Sequence, residues 1–114
     1  MRDLLKILKA LSDSQRLRIV KMLSIRPLCV CEITEVLELA QSTVSKHLSI
    51  LRDADLILDE KHGKWVNYSL NSSSGSERMK ELLDMVSGWL PDDETIRRDA
   101  KRVKTVDREL ICKA

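Results

Sequence analysis

Residues 41–70 read QSTVSKHLSILRDADLILDEKHGKWVNYSL, and this stretch decides the fold. Val44, Leu48 and Leu51 recur at helical spacing, and at 100° per residue they leave Ser42, Ser45, Lys46 and Ser49 on the other side. Ser42 is placed to cap that helix, and Asp53-Ala54-Asp55 weakens its far end. From Leu56 the period changes to two. Ile57-Leu58-Asp59-Glu60 and Trp65-Val66-Asn67-Tyr68-Ser69-Leu70 flank Lys61-His62-Gly63-Lys64, the pattern of a β-hairpin with a Gly-containing loop.

Upstream, Leu4, Leu8 and Leu11 give Asp3 to Leu11 one apolar helical face. Ser12-Asp13-Ser14-Gln15 has the form of a capping box and opens a second helix carrying Leu17, Val20 and Leu23, which stops before Pro27. Val30, Ile33 and Leu37 mark a third helix of about nine residues. Leu39-Ala40-Gln41 is the only break before the helix of the quoted stretch, and two short helices joined by so tight a turn form a helix-turn-helix.

Downstream, residues 71–76 (NSSSGS) make a flexible connector. Glu77 to Leu90 is helical, with Leu82, Leu83, Val86 and Trp89 apolar. Pro91 interrupts it before a charged segment from Asp92 to Cys112, whose narrow seam of Ile96, Val103, Val106, Leu110 and Ile111 suits a partner helix. The expected fold is mainly α with a small β-hairpin, a winged helix-turn-helix: four helices, the hairpin, then one or two more helices. Residues 1–90 form the DNA-binding and dimerisation domain, and residues 91–114 a charged C-terminal helix or tail.

At 114 residues and 13.1 kDa there is room for one core. That core is aliphatic, because the chain has no Phe, one Tyr and two Trp. No apolar run approaches membrane length and no signal-peptide core is present, so the chain is expected in the cytoplasm, away from membranes. A reducing compartment disfavours structural disulfides, which leaves thiolate chemistry or burial for the three cysteines. The net charge of +2 and pI near 8.5 are compatible with nucleic acid without demanding it.

The outward side of the helix that Ser42 caps and that runs to about Ala54 is short, polar and able to hydrogen-bond. It fits a major groove about 12 Å wide, where Ser and Thr can donate or accept at base edges and Lys can reach guanine or phosphate. Gln41 and Thr43 lie at the helix start, where helix-turn-helix proteins meet bases. The hairpin tip, Lys61, His62 and Lys64, is a compact cationic loop placed to touch neighbouring phosphate. His47, beside Leu48 and Leu51, is read as a packing residue. Four cations (Lys46, Arg52, Lys61, Lys64) face four carboxylates (Asp53, Asp55, Asp59, Glu60) between residues 41 and 64, so the attractive field is local.

These residues resemble the ArsR/SmtB family of winged-helix metalloregulatory repressors from about Leu5 to Leu70. Four motifs in family order carry the resemblance: LSDSQRL (11–17), LCVCEI (28–33), SKHLSIL (45–51) and GKWVNYSL (63–70). The family implies a homodimer held by its first and C-terminal helices, an imperfectly palindromic double-stranded operator, and derepression by bound metal. The Leu-Cys-Val-Cys-Glu form resembles members that answer to arsenite and antimonite, or to cadmium and lead. The chain departs from some arsenic sensors in having Thr34 where they place a third thiol. It has no cysteine before Cys29, unlike cadmium sensors that recruit N-terminal thiols, and no histidine after His62, where zinc and nickel sensors hold their ligands.

Cys29 and Cys31 are the candidate metal ligands. Two residues apart, their side chains diverge in a helix and share a face in extended chain, so they converge on one ion only where the helix is unwound. A soft sulfur pair selects arsenic(III) or antimony(III), with cadmium or lead as alternatives, over magnesium or calcium. The start of a helix should lower both thiol pKa values. Cys112 either completes a three-sulfur site or is a free thiol in a frayed tail. DNA binding itself requires no cofactor.

Other classes fare poorly. A thiol-dependent arsenate reductase needs arginine six positions after its cysteine, and Glu35 and Leu37 stand there. No Cys-x-x-Cys pair and no Gly-rich phosphate cradle exist, so an enzyme is not expected. A thiol-redox repressor on the same fold stays open at this point.

Overall fold

The computed structural model describes residues 1–72 and 76–111, excepting the side chain of residue 109. In chain order the elements are α1 (Arg2–Leu11), α2 (Ser14–Leu23), β1 (Leu28–Cys29), α3 (Val30–Leu37), α4 (Gln41–Asp53), β2 (Ile57–His62), β3 (Trp65–Leu70), α5 (Glu77–Gly88), α6 (Glu94–Thr105) and α7 (Arg108–Ile111). The architecture is the expected winged helix-turn-helix, mostly helical, with the hairpin after α4. One strand was not foreseen: Leu28 and Cys29 add to the hairpin, giving an antiparallel sheet of order β1-β3-β2. Leu28 lies opposite Tyr68 and Cys29 opposite Asn67. Two residues are too short for a period to register in sequence.

The core is aliphatic, as the composition requires. Ile19, Met22, Leu28, Ile33, Leu48, Leu51, Leu56, Ile57 and Leu83 are among its fully buried side chains. Val44, Leu48 and Leu51 of α4 are buried while Gln41, Ser42, Thr43, Ser45, Lys46 and Ser49 are exposed, so the helical period assigns both faces correctly. The hairpin pairs from Ile57 with Leu70 to His62 with Trp65. That register leaves Gly63 and Lys64 as a two-residue turn. Gly63 has φ +60° in the first central position, the place glycine takes in a type II′ hairpin turn.

Two caps differ from expectation. Asp13, not Ser12, caps α2: its carboxylate accepts from the N–H groups of Gln15 and Arg16 at 2.9 and 3.1 Å. The Ser12 hydroxyl donates back to Lys9 and closes α1 instead. At α4 the N-cap position falls on Ala40, and Ser42 lies inside the first turn. The helix-turn-helix turn is closed by Glu38 in the left-handed region at φ 58°, its N–H bonded to the Thr34 carbonyl at 2.8 Å.

In α1 the face turned inward is Ile7, Ala10 and Leu11, while Leu4, Leu5 and Leu8 are 50–57% exposed. The predicted stripe of Leu4, Leu8 and Leu11 therefore mixes two faces.

The C-terminal half departs further. The helix from Glu77 stops at Gly88, and Leu90, at φ 59°, turns the chain ahead of Pro91. Lys21 reaches this corner from α2: its buried ammonium donates to the carbonyls of Val86, Ser87 and Trp89 at 3.1, 2.7 and 2.5 Å. Burial pushes the Lys21 pKa down. Asp92 to Cys112 is not one helix, because the chain breaks after Thr105 between α6 and α7. Part of the narrow seam finds cover within the chain, while Leu110 stays 74% exposed. Val103 is fully buried in the common core, with Ile96 and Val106 half-buried, and α6 lies against α2 and α3.

A buried ion pair fastens α6. The Arg18 guanidinium grips the Asp99 carboxylate through two bonds of 2.8 and 2.9 Å, and the two side chains are only 14% and 3% exposed. Removing one member of such a pair strands the other charge. Asp99→Ala is expected to destabilise the fold by about 3–5 kcal/mol, lowering the thermal midpoint by roughly 10–20 °C. Circular-dichroism melts of the two proteins check this; coincident curves would refute the anchoring role.

Candidate nucleic-acid interface and thiol site

The polar face of α4 and the hairpin tip lie outward on elements the core holds rigidly. Gln41, Ser42, Thr43, Ser45, Lys46 and Ser49 are all exposed, and so are Lys61, His62 and Lys64. The charges between them partly cancel in pairs. Arg52 bonds Asp59 at 2.8 Å, tying α4 to β2, and His62 Nε2 lies 3.6 Å from Glu60. Lys46 and Lys61 have no carboxylate within ion-pair distance among the described residues. A positive field thus survives at α4 and at the hairpin tip inside a stretch of zero net charge.

His47 is half-buried, as a packing residue should be, but it is also a polar hinge-point between helices. Its Nδ1 is 3.3 Å from an Arg16 guanidinium nitrogen and 3.9 Å from the Asp13 carboxylate. Arg16 further donates to the carbonyls of Ala10 and Lys9, closing α1. The inner edge of α4 is in this way registered on the cap of α2.

The two cysteines stand where β1 becomes α3. Cys29 is the N-cap of α3, in extended conformation, and Cys31 lies in the first turn. The pair spans a strand-to-helix junction, so the requirement for non-helical backbone is already met at Cys29. Cys29 replaces the usual Ser or Thr of a capping box. Its sulfur faces the Glu32 N–H, and Glu32 Oε1 accepts from the Cys29 N–H at 3.0 Å. Thr34 donates its hydroxyl to the Cys31 carbonyl at 2.8 Å.

The expectation of lowered thiol pKa fails at Cys29. The side chain is 2% exposed, and burial pushes its pKa above the ordinary thiol value, aided by the Glu32 carboxylate and opposed by the Glu32 N–H. Desolvation outweighs the partial positive charge of the helix start. Cys29 is a free thiol. Cys112 lies outside the described residues. Among the described residues no cluster of three or more His, Cys, Asp or Glu side chains could hold a metal ion.

Three arginines that sequence reasoning passed over lock this junction to the C-terminal helices. Arg26 donates to Glu32 Oε2 at 3.1 Å and to the carbonyls of Val103 and Val106 at 2.9 and 3.0 Å. Arg102 donates to the carbonyls of Val36 and Glu35 at the far end of α3, with Glu38 Oε1 at 3.4 Å. Arg108 donates to Asn67 Oδ1 at 2.7 Å, on the strand paired with Cys29. Cys-x-x-Glu is itself a capping-box signal and could have pointed to Glu32. Nothing in spacing marks the arginines, whose partners are mainly backbone carbonyls distant in sequence.

The burial of Cys29 has a measurable sign. A raised folded-state pKa means that the native chain favours the neutral thiol. Its contribution to stability is fully present below the unfolded thiol pKa and is lost as pH rises through the folded one. In a Cys31→Ser, Cys112→Ser variant, alkylation of Cys29 is expected to be roughly tenfold slower or more at pH 8 than in the unfolded chain, with its pH midpoint displaced upward. Equal rates would show an accessible, ordinary thiol.

Residues 13–58 match the family described as bacterial regulatory protein, arsR family. The chain is 35% identical over 107 residues to the arsenical resistance operon repressor of Escherichia coli K12, covering 93% of this chain and 83% of that one. It is 37% identical over 83 residues to a cadmium resistance transcriptional regulatory protein CadC homolog of Staphylococcus aureus, covering 72% and 65%. Among solved structures, HlyU from Vibrio cholerae N16961 superposes with a TM-score of 0.65 at 33% identity, over 75% of this chain and 88% of that one.

Proposed function

Since the chain belongs to the arsR family of bacterial regulatory proteins, whose members are DNA-binding transcriptional regulators and not enzymes, we propose that it is a repressor released from its operator by arsenite or antimonite captured at Cys29 and Cys31. The observation that carries this reading is the Cys29–Glu32 capping box: the cysteine that binds the metalloid is also the residue that starts α3.

On the DNA side, α4 enters a major groove with Gln41, Ser42, Thr43, Ser45, Lys46 and Ser49 toward base edges and phosphates. The hairpin wing brings Lys61, His62 and Lys64 to the flanking backbone. Two copies are needed to read an imperfect palindrome with half-sites one turn, about 34 Å, apart. The exposed Leu4, Leu5 and Leu8 of α1, together with Met85 of α5, supply the apolar surface for a homodimer. No helix among the described residues is long and apolar enough to cross a membrane. Its work on operator DNA belongs in the cytoplasm.

Release follows from competition for one segment. With Cys29 and Cys31 both present as thiols, arsenous acid condenses with them. An arsenic–oxygen bond breaks, an arsenic–sulfur bond forms, and each thiol proton leaves with hydroxide as water. For the Cys29 sulfur to take part it must leave the Glu32 N–H and its buried seat. That opens the capping box and frays the start of α3, and the short turn carries the displacement into α4. Shifting occupancy from 1:99 to 99:1 takes about 5.5 kcal/mol of preference for the DNA-incompetent form. Cys112 is a candidate third ligand.

The raised pKa of Cys29 favours arsenic(III) over cadmium or lead. Condensation consumes a neutral thiol and releases no net proton, whereas a divalent cation must first drive the proton off. A redox-responsive repressor on the same fold, in which oxidation of Cys29 or Cys31 replaces metalloid capture, is the second reading.

Fluorescence anisotropy on the duplex lying immediately upstream of the chain's own coding sequence tests these readings. In reduced protein, arsenite is expected to release DNA with a midpoint nearly flat between pH 6.5 and 8. Any cadmium effect should strengthen about tenfold per pH unit for each thiol proton lost. Cys29→Ser keeps DNA affinity and loses release; normal induction in that variant sinks the sensor assignment, and release by peroxide alone would install the redox reading. Lys46→Ala is expected to weaken binding about tenfold and to reduce the salt slope by about one, leaving sedimentation unchanged.

A further inference from the structure

Trp65 opens β3 at the foot of the hairpin turn, and two cations lie over its indole. Lys64 Nζ is 4.7 Å from the ring centroid, and the Arg108 guanidinium carbon is 4.4 Å away. Both fall within the reach of a cation–π contact, about 6 Å. The ring's own N–H is buried and has no acceptor among the described residues. Hydrogen bonding therefore does not hold the indole in place; what lies against it does. An unmet buried donor is costly and would drive the ring toward water if its cover were removed.

Arg108 is suited to be that cover. Its Nη1 donates to Asn67 Oδ1 at 2.7 Å, and Asn67 is two residues from Trp65 on the same strand, so their side chains share one face. One guanidinium spans both neighbours, lying over the ring while a single nitrogen donates to the amide oxygen. Lys64 is adjacent in sequence and rests on the same indole. Its ammonium is thus held at the wing tip before any ligand arrives, which reduces the side-chain freedom lost on binding.

We propose that Arg108 is a positioning residue for the wing: from the C-terminal segment, without touching the duplex itself, it fixes Trp65 and through Trp65 the Lys64 side chain. The proposal rests on the DNA-binding reading given above. It assigns to α7 a role in operator affinity distinct from any role in sensing.

Two measurements on the full-length chain test it. In a Trp89→Phe background, where Trp65 is the only tryptophan, Arg108→Ala is expected to increase acrylamide quenching of the indole about twofold, with Arg108→Lys falling between. With Trp89 in place, Arg108→Ala is expected to weaken binding of the upstream duplex about three- to tenfold and Arg108→Lys less. Combined with Lys64→Ala, the Arg108→Ala change should add little, because both act through one contact. Unchanged quenching overturns the proposal, as do fully additive losses, which would make Arg108 an independent DNA contact. A native chain that binds no duplex is the distinct failure of the DNA-binding reading, and the quenching comparison then still decides whether Arg108 holds the ring.

Discussion

One buried carboxylate ties the structure together. Glu32, 4% exposed, gives one oxygen to the N–H of Cys29 and the other to Arg26, and Arg26 in turn takes up the carbonyls of Val103 and Val106. A single side chain thereby caps α3, holds the end of β1 and answers the charge that closes the C-terminus of α6. Each of these groups would be a desolvated orphan without the others. The constraint is mutual, so the start of α3 cannot loosen without disturbing the C-terminal helices.

Arg102 repeats the pattern at the other end of α3 by bonding the carbonyls of Glu35 and Val36. The helix that sets the orientation of α4 is therefore clamped at both termini by arginines that join it to the same helix, α6. This explains how so short an element, eight residues with little intrinsic stability of its own, is held as a helix. A segment held at both ends cannot loosen at one without straining the bonds at the other. The buried seat of Cys29 is likewise stable only while the surrounding bonds persist.

The helix-turn-helix and hairpin were legible because their signals are long and periodic. Val44, Leu48 and Leu51 repeat at 3.6, the strands alternate at 2, and Gly63 marks the turn. The thiol pair was legible as a pair, but its environment was not. A helix start suggested activated thiols, whereas burial decided the direction at Cys29, and burial is a property of the whole fold. The cap at Asp13 is hidden because Ser12 fits the local rule equally well, and that at Ala40 because alanine does not fit it and Ser42 does; only the three-dimensional path selects between neighbours. The narrowness of the C-terminal seam points to a partner helix, and Leu110 is indeed left exposed, but Val103 is covered within the chain. The seam's few apolar residues suffice because the Arg18–Asp99 pair and the arginine clamps supply what apolar area does not.

The ammonium of Lys21 shows how narrow some of these solutions are. Its three protons are shared among three carbonyls at the corner where α5 ends, and no backbone cap of the glycine kind is used there. A compact ammonium meets three oxygens from a single atom, a space the longer, flat guanidinium does not match, and methionine would leave all three bare. Position 21 is thus closed to the exchanges that usually pass as conservative. A drifting lineage could change this residue only by rebuilding the Ser87-Gly88-Trp89 corner in the same step.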